Sequence, residues 1–150
     1  MPNKTDDLDW SKSFMYSLHQ TYFLAQKRLE QRLHEAKGLT FSQFLILLGL
    51  HCNAKASQTE LADFLYLTEP TVSRHIAGLA KSKYLTRKED PHNRRKHILH
   101  MTPQGAKAFA SAHRIIVLEL KDIFKNVPNK HRALITDVFA DIITTLTGKA

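Results

Sequence analysis

The fold is decided by residues 61–105, which read LADFLYLTEPTVSRHIAGLAKSKYLTRKEDPHNRRKHILHMTPQG. The first half has the pattern of two short helices joined by a tight turn, and the second half has two short strand patterns around a polar turn at 90–93. Residues 71–101 contain eight Lys or Arg but two acids, so this stretch carries most of the formal net charge of +8. A helix-turn-helix followed by a basic hairpin suits duplex DNA, because the second helix fits a major groove while the hairpin reaches phosphates or the minor groove. DNA binding is therefore the leading hypothesis.

Length and composition limit the class of protein. A chain of 150 residues is long enough for one domain with a proper core, and we predict a single domain over residues 1–150. Five glycines and five prolines are too few for an all-β fold, so we expect a mainly α protein with a small β-wing. The net charge of +8 favours a polyanionic partner, either nucleic acid or an acidic membrane surface.

The sequence also limits where the protein works. Its longest apolar run, residues 44–50, is far shorter than the roughly 20 residues that cross a bilayer. Residues 1–7 are polar and lack the apolar core of a signal peptide. A single cysteine, Cys52, cannot form an internal disulfide, which fits a reducing cytoplasm. We therefore expect a soluble, cytoplasmic protein that does not insert into membranes.

Capping signals predict where the first helices begin and end. Thr40 with Gln43 and Ser57 with Glu60 have the spacing of capping boxes, which open the second and third helices. The first helix is expected over residues 10–36 and is ended by a glycine. Its apolar residues recur at helical steps: Trp10, Phe14, Leu18, Ala25, Leu29 and Leu33.

The fourth helix, from Glu69 to about Lys83, is the candidate recognition helix. Thr68 precedes it as a suitable N-cap, and a proline fits its first turn. The helical period divides the residues into two sides. The side predicted to face inward holds Val72, Ile76, Leu79 and Ala80, and the side predicted to stay outside holds Thr71, Ser73, Arg74, His75, Gly78 and Lys81.

A wing and two further helices complete the predicted chain. Residues 84–88 and 96–101 have strand patterns, and the turn between them forms an exposed tip. Thr102 with Pro103 then caps a fifth helix. A sixth helix is expected over residues 130–146.

The terminal helices carry more apolar surface than a core of this size needs. Large apolar stripes usually mark an interface, so we predict that residues 10–36 and 106–147 form a two-fold homodimer. Residues 39–102 then form the winged helix-turn-helix part, which is called the reading head below. A homodimer presents two reading heads to one DNA duplex.

Candidate DNA contacts lie on the recognition helix and on the wing. Thr71 and Ser73 are small enough to approach phosphates and base edges, and Arg74 can bind guanine or phosphate through two N–H groups. Arg94 and Arg95 follow the wing turn and can enter a narrow minor groove. The complete predicted set is Thr71, Ser73, Arg74, His75, Lys81, Arg87, Lys88, Arg94, Arg95 and Lys96.

Four motifs together resemble the MarR family of winged-helix transcriptional regulators. They are Leu39-Thr40 with Gln43-Phe44, Thr71-Val72-Ser73-Arg74, Asp90-Pro91-His92-Asn93-Arg94-Arg95 and Met101-Thr102-Pro103-Gln104-Gly105. The resemblance implies a homodimer on a pseudo-palindromic operator, with recognition helices in successive major grooves and wings at the flanks. It also implies repression that is relieved by a small phenolic or anionic ligand, bound between the reading head and the dimerisation helices. Two positions depart from the family pattern: Asn93 replaces an aspartate, and Lys83 replaces a glycine that commonly ends the recognition helix.

Other interpretations of the sequence stay open. An architectural nucleic-acid-binding protein would have the same basic surface without a regulatory ligand. A redox-responsive or metal-responsive regulator would need a reactive thiol or a metal site. We expect Cys52 to be a buried structural thiol, and His97 and His100 fall on opposite faces of a strand, so neither site is favoured. An enzyme or protein-interaction module of this fold is also disfavoured, since the chain has no phosphate-binding glycine loop, nucleophile elbow or His-Glu-x-x-His motif. We predict no catalytic residue, cofactor or metal.

Overall fold

The computed structural model describes residues 4–90 and 93–148, leaving aside the side chains of residues 4–10, 37, 90 and 93–97. In chain order its elements are α1 Lys4–Lys37, α2 Phe41–Cys52, α3 Gln58–Leu65, α4 Glu69–Lys81, β1 Leu85–Asp90, β2 Asn93–Met101, α5 Pro103–Ile123 and α6 Asn129–Thr147. The fold is therefore mainly α with a small β-wing, as the sequence predicts. The wing turn was expected at 90–93, and its residues Pro91 and His92 lie outside the described residues.

The chain divides into two compact units, Met1–Ile116 and Val117–Ala150. The first unit contains α1 to α4, the hairpin of β1 and β2, and the first part of α5. The second unit contains the end of α5 and all of α6. The single domain expected over residues 1–150 stays a prediction.

Both predicted capping boxes are formed. The Thr40 hydroxyl accepts from the Gln43 main-chain N–H at 3.1 Å, and the Gln43 side chain accepts from the Thr40 N–H at 3.0 Å. Ser57 and Glu60 make the same pair of bonds, at 3.2 Å and 2.6 Å. Each box satisfies N–H groups that a helix N-terminus leaves without partners, so α2 and α3 begin where the sequence predicts.

Glu30 connects α1 to the start of α2. Its carboxylate accepts a hydrogen bond from the main-chain N–H of Phe41, the first residue of α2. A negative group at a helix N-terminus is stabilised by the helix dipole. This bond joins residues that are 11 positions apart, and no local sequence pattern predicts it.

The core of the first unit lies among α2, α3, α4 and the hairpin, and α1 and α5 add to it. The predicted inward residues Val72, Ile76 and Leu79 are buried at 2% exposure or less. Ala80 was predicted to face inward but is exposed, because α4 ends one residue later and its last turn extends beyond the core. The core cluster consists of Leu29, Leu33, Leu39, Phe44, Ile46, Leu47, Leu50, Ala56, Leu61, Ala62, Val72, Ile76, Leu79, Leu85, Leu99, Phe109, Ala112 and Ile116.

The hairpin is held against the reading head by its second strand. β1 pairs antiparallel with β2 from Leu85 opposite Met101 onward, and the register shifts after Glu89. The Leu99 N–H also donates to the Ala56 carbonyl at 3.3 Å, next to an isolated bridge between Ser57 and Ile98. The base of the wing is therefore fixed to the segment that precedes α3.

Two non-glycine residues adopt the left-handed conformation. Lys83, at the position where a glycine was expected from the resemblance, has a φ of 60° and follows the end of α4. Tyr66 has a φ of 52° and ends α3, a conformation that was not predicted from the sequence. Gly38, with a φ of 62°, ends α1 as expected.

Two local predictions were wrong. Cys52 is exposed rather than buried, because it is the last residue of α2, beyond the last buried position at Leu50. Thr68 stands at the N-cap of α4, but its side chain makes no capping bond. Its hydroxyl instead shares a hydrogen bond with the Thr71 hydroxyl at 2.9 Å.

In the second unit, Arg132 of α6 fixes the turn that follows α5. Its guanidinium donates to the Val127 carbonyl at 2.9 Å and to the Phe124 carbonyl at 2.8 Å. The charge-assisted bonds satisfy carbonyl groups at the end of a helix, where they otherwise lack partners.

Candidate nucleic-acid interface

The polar side of α4 faces away from the core. Arg74 and Lys81 are exposed, and Thr71, Ser73 and His75 are partly exposed. Because Val72, Ile76 and Leu79 anchor the opposite side, the helix presents these polar groups as one fixed surface. A helix held by its apolar side with small and cationic side chains outward has the form of a helix that enters a major groove.

The wing adds cationic groups to the same unit. Arg87 and Lys88 of β1 are exposed. The main chain of Arg94, Arg95 and Lys96 belongs to β2, but the placement of these three side chains lies outside the described residues. The structure therefore shows seven of the ten predicted DNA-binding residues as accessible side chains.

A group of polar side chains joins β1, α3 and the start of α4. The Arg87 guanidinium donates to the Gln58 side-chain oxygen at 2.7 Å. The Gln58 amide lies 3.5 Å from the main-chain oxygen of Glu69, and the Thr59 hydroxyl donates to the Glu69 carboxylate at 3.3 Å. Of these residues, Arg87 was predicted from the sequence to contact DNA. Gln58 was missed because its partner is 29 positions away, although a polar residue at the first position of α3 was visible in the sequence.

A cavity lies where α2, the end of β2 and the start of α5 meet. Its volume is about 370 Å³. The ring of Phe109 lies 4.8 Å from the ring of His51 and 5.8 Å from that of His113 between centroids. The lining residues are Leu48, His51, Met101, Ala106, Phe109, Ala110 and His113. An apolar aromatic wall with imidazole groups beside it suits a small planar molecule.

Apolar side chains are exposed along α1 and, separately, along α6. No residue of α6 is buried. On α1 the large exposed apolar residues are Met15, Tyr16, Tyr22, Phe23 and Leu24, and on α6 they are Leu134, Val138, Phe139, Ile143 and Leu146. An apolar stripe of this extent on a helix usually marks an interface.

The described residues hold neither a membrane-crossing helix nor a metal cluster. None of the helices in this part of the chain has the length and apolarity needed to cross a membrane. Within the same residues, no group of three or more His, Cys, Asp or Glu side chains is arranged to hold a metal ion.

The sequence and the fold are both similar to those of known regulators. The model of the MarR family matches residues 37–96, a segment that contains every predicted DNA contact. The chain is 25% identical over 103 residues to the uncharacterized HTH-type transcriptional regulator YdgJ of Bacillus subtilis (strain 168). That match covers 69% of this chain and 63% of YdgJ, so the chain spans less than two thirds of the length of this curated relative.

Two solved structures illustrate the likeness of the fold. The transcriptional regulator BldR from Sulfolobus solfataricus is 20% identical, with a TM-score of 0.83 over 92% of this chain and 97% of BldR. BpsR from Bordetella bronchiseptica, whose DNA binding is regulated by 6-hydroxynicotinic acid, is 22% identical. Its TM-score is 0.79 over 87% of this chain and 98% of BpsR.

The family match and the fold agree with each other. They are those of transcriptional regulators rather than of enzymes. The chain therefore belongs to the MarR family of winged-helix transcriptional regulators.

Proposed function

We propose that this protein is a homodimeric repressor that binds a pseudo-palindromic operator in double-stranded DNA and is released by a small aromatic or anionic ligand. The observation that carries the DNA-binding part is the outward polar side of α4, which lies in one unit with the exposed cations of β1. As a DNA-binding regulator the protein would work in the cytoplasm.

The proposed roles follow from side-chain size and charge. Arg74 is placed to bind a guanine or a phosphate bidentately, and Thr71 and Ser73 are small enough to let α4 come close to base edges. His75 and Lys81 extend the same side of the helix. Contacts of this kind can supply sequence preference, with each good bidentate pair contributing about 1–3 kcal/mol of discrimination.

The wing residues would contribute affinity more than sequence preference. Arg87 and Lys88 are assigned to phosphates, because exposed cations on a strand can follow the DNA backbone. For Arg94, Arg95 and Lys96 the assignment to the minor groove or to flanking phosphates rests on the sequence pattern.

The dimer would be formed by a second copy of this chain on the exposed apolar surfaces of α1 and α6. Two-fold symmetry would present two α4 helices to successive major grooves, about 34–36 Å apart. Each copy alone would contact half of the operator, so dimerisation supplies much of the affinity.

The ligand would occupy the cavity beside Phe109. The ring of this residue offers a stacking surface, and the imidazole groups of His51 and His113 can donate hydrogen bonds to a carboxylate. The relative BpsR, whose DNA binding is regulated by 6-hydroxynicotinic acid, supports an aromatic acid. A ligand between α2 and α5 can release DNA only if it favours an arrangement of the two heads that no longer fits the operator.

Selection of DNA from a random duplex library tests the proposal. Purified protein should enrich a pseudo-palindrome, and this duplex should bind far more tightly than a scrambled one. Enrichment of no sequence, with equal affinity for all duplexes, would favour an architectural DNA-binding protein instead. Absence of binding at low salt would contradict DNA binding altogether.

A further inference from the structure

Arg87 lies on the side of the hairpin that faces the reading head. Side chains alternate along a strand, so Arg87 shares its face with Leu85, and its pairing partner on β2 is Leu99. Both leucines are buried at 2% exposure or less, whereas Arg87 is exposed. The arginine therefore begins at the edge of the core, and its guanidinium extends beyond it toward α3.

Gln58 holds that guanidinium at the junction of three elements. Its Oε1 accepts from a terminal nitrogen of Arg87 at 2.7 Å, a short distance for a hydrogen bond to a cation. Gln58 is the first residue of α3, and its amide nitrogen lies 3.5 Å from the main-chain oxygen of Glu69, the first residue of α4. The wing cation is thus placed beside the first turn of the recognition helix.

We propose that Gln58 is a positioning residue for DNA binding, which orients Arg87 toward the phosphate that flanks the N-terminal turn of α4. This inference rests on the proposed DNA-binding function. An arginine has five N–H donors, so the bond to Gln58 leaves donors for a phosphate oxygen. Because the glutamine is neutral, it fixes the direction of the guanidinium without reducing its charge.

Preorganisation accounts for the expected size of the effect. Immobilising a long side chain on binding costs about 0.5–1.5 kcal/mol, which corresponds to about two- to twelvefold in affinity. Gln58 removes part of that cost in advance. Since both side chains are solvent-accessible, the same bond contributes little to folding stability.

A double-mutant cycle tests this role, with fluorescence anisotropy on the duplex selected by the wild-type protein. Gln58→Ala should weaken binding about two- to tenfold and leave the salt dependence unchanged, because no charge is removed. Arg87→Ala should weaken binding and reduce the slope of log K against log salt by about 0.9 for each phosphate that is no longer neutralised, or about 1.8 for a dimer. The double variant should bind as Arg87→Ala alone does.

Two further variants separate the positioning role from an effect of charge or of a general glutamine substitution. Gln58→Glu keeps the acceptor oxygen but neutralises the guanidinium, so it should reduce the salt slope as Arg87→Ala does. Gln104→Ala, at another exposed glutamine that donates to a main-chain oxygen, is the matched control and should bind as the wild type does. All variants should unfold at the wild-type urea concentration.

The outcomes distinguish the two proposals. Wild-type affinity of Gln58→Ala, or additive losses in the double variant, would overturn the positioning role while DNA binding stands. Failure of the wild-type protein to bind any duplex would instead contradict the proposed function.

Discussion

The hydroxyl group of Thr102 donates a hydrogen bond to the main-chain oxygen of Lys83 at 2.7 Å. The same hydroxyl oxygen accepts from the Gly105 N–H at 2.9 Å. It therefore caps the first turn of α5 and also fixes that turn to the loop that follows the recognition helix. Lys83 is left-handed at this point, so its carbonyl is turned toward Thr102. The Thr-Pro-x-Gly motif is in this way a joint between the reading head and α5.

Thr102→Val should destabilise the protein by about 1–2 kcal/mol, because it removes a helix cap and leaves the Gly105 N–H without its partner. Urea unfolding at one fixed protein concentration measures the change. Thr145→Val is the control, since its hydroxyl bonds to a carbonyl on the exposed surface of α6. Equal effects of the two substitutions would contradict the role of Thr102 as a joint.

Gly105→Ala should also destabilise the protein, although alanine favours a helix. A Cβ atom at this position would lie 1.9 Å from the Tyr84 carbonyl oxygen, so α5 would have to move away from the loop. Overpacking of this kind costs about 1–3 kcal/mol, which exceeds the gain of up to about 1 kcal/mol in helix propensity. The neighbouring substitution Gln104→Ala should change urea stability by less than about 0.5 kcal/mol. A stabilised Gly105→Ala variant would show that the close approach is not required.

Local signals in the sequence predicted the helices well. Thr40 with Gln43 and Ser57 with Glu60 lie within one turn of each other, so the capping chemistry is visible in the sequence and is confirmed. The left-handed conformation of Lys83 was also foreseen as one way to end α4. Such features depend on three to five consecutive residues and need no knowledge of the tertiary fold.

Contacts between distant residues were not predictable in the same way. Gln58 meets Arg87 across 29 positions, and Glu30 meets Phe41 across 11, so both pairs depend on how the elements pack. The exposure of Cys52 was missed for a related reason. An apolar run indicates a buried helix but does not show at which residue the helix leaves the core.

Val138→Asp should convert the proposed dimer into a monomer. Val138 is exposed in the middle of α6, and a charge placed there would have to be desolvated in an apolar interface. Light scattering after gel filtration should change from twice the chain mass of 17.2 kDa to that mass. Thr144→Asp adds the same charge at an exposed polar position and should remain dimeric. A wild-type monomer at micromolar concentration would contradict the dimer.

Ala110→Trp should abolish ligand response without abolishing DNA binding. Ala110 lines the cavity of about 370 Å³, and an indole group there would fill much of it. A thermal-shift screen with 6-hydroxynicotinic acid and other aromatic acids should stabilise the wild type and not this variant. Ala133→Trp, at an exposed alanine of α6 outside the lining residues, is the control for the added indole. If acids stabilise Ala110→Trp as they do the wild type, the ligand binds elsewhere.

Salt-dependent anisotropy on the selected duplex tests most directly whether the outward side of α4 and the wing bind duplex DNA. If a dimer contacts about 6–10 phosphates, affinity should fall by about 10³–10⁵ between about 50 and 200 mM salt. Arg74→Ala should weaken binding by about 1–3 kcal/mol on this duplex and much less on a scrambled one. Binding by Arg74→Ala and Arg87→Ala that equals wild-type binding at every salt concentration would contradict the assignment of this surface to DNA.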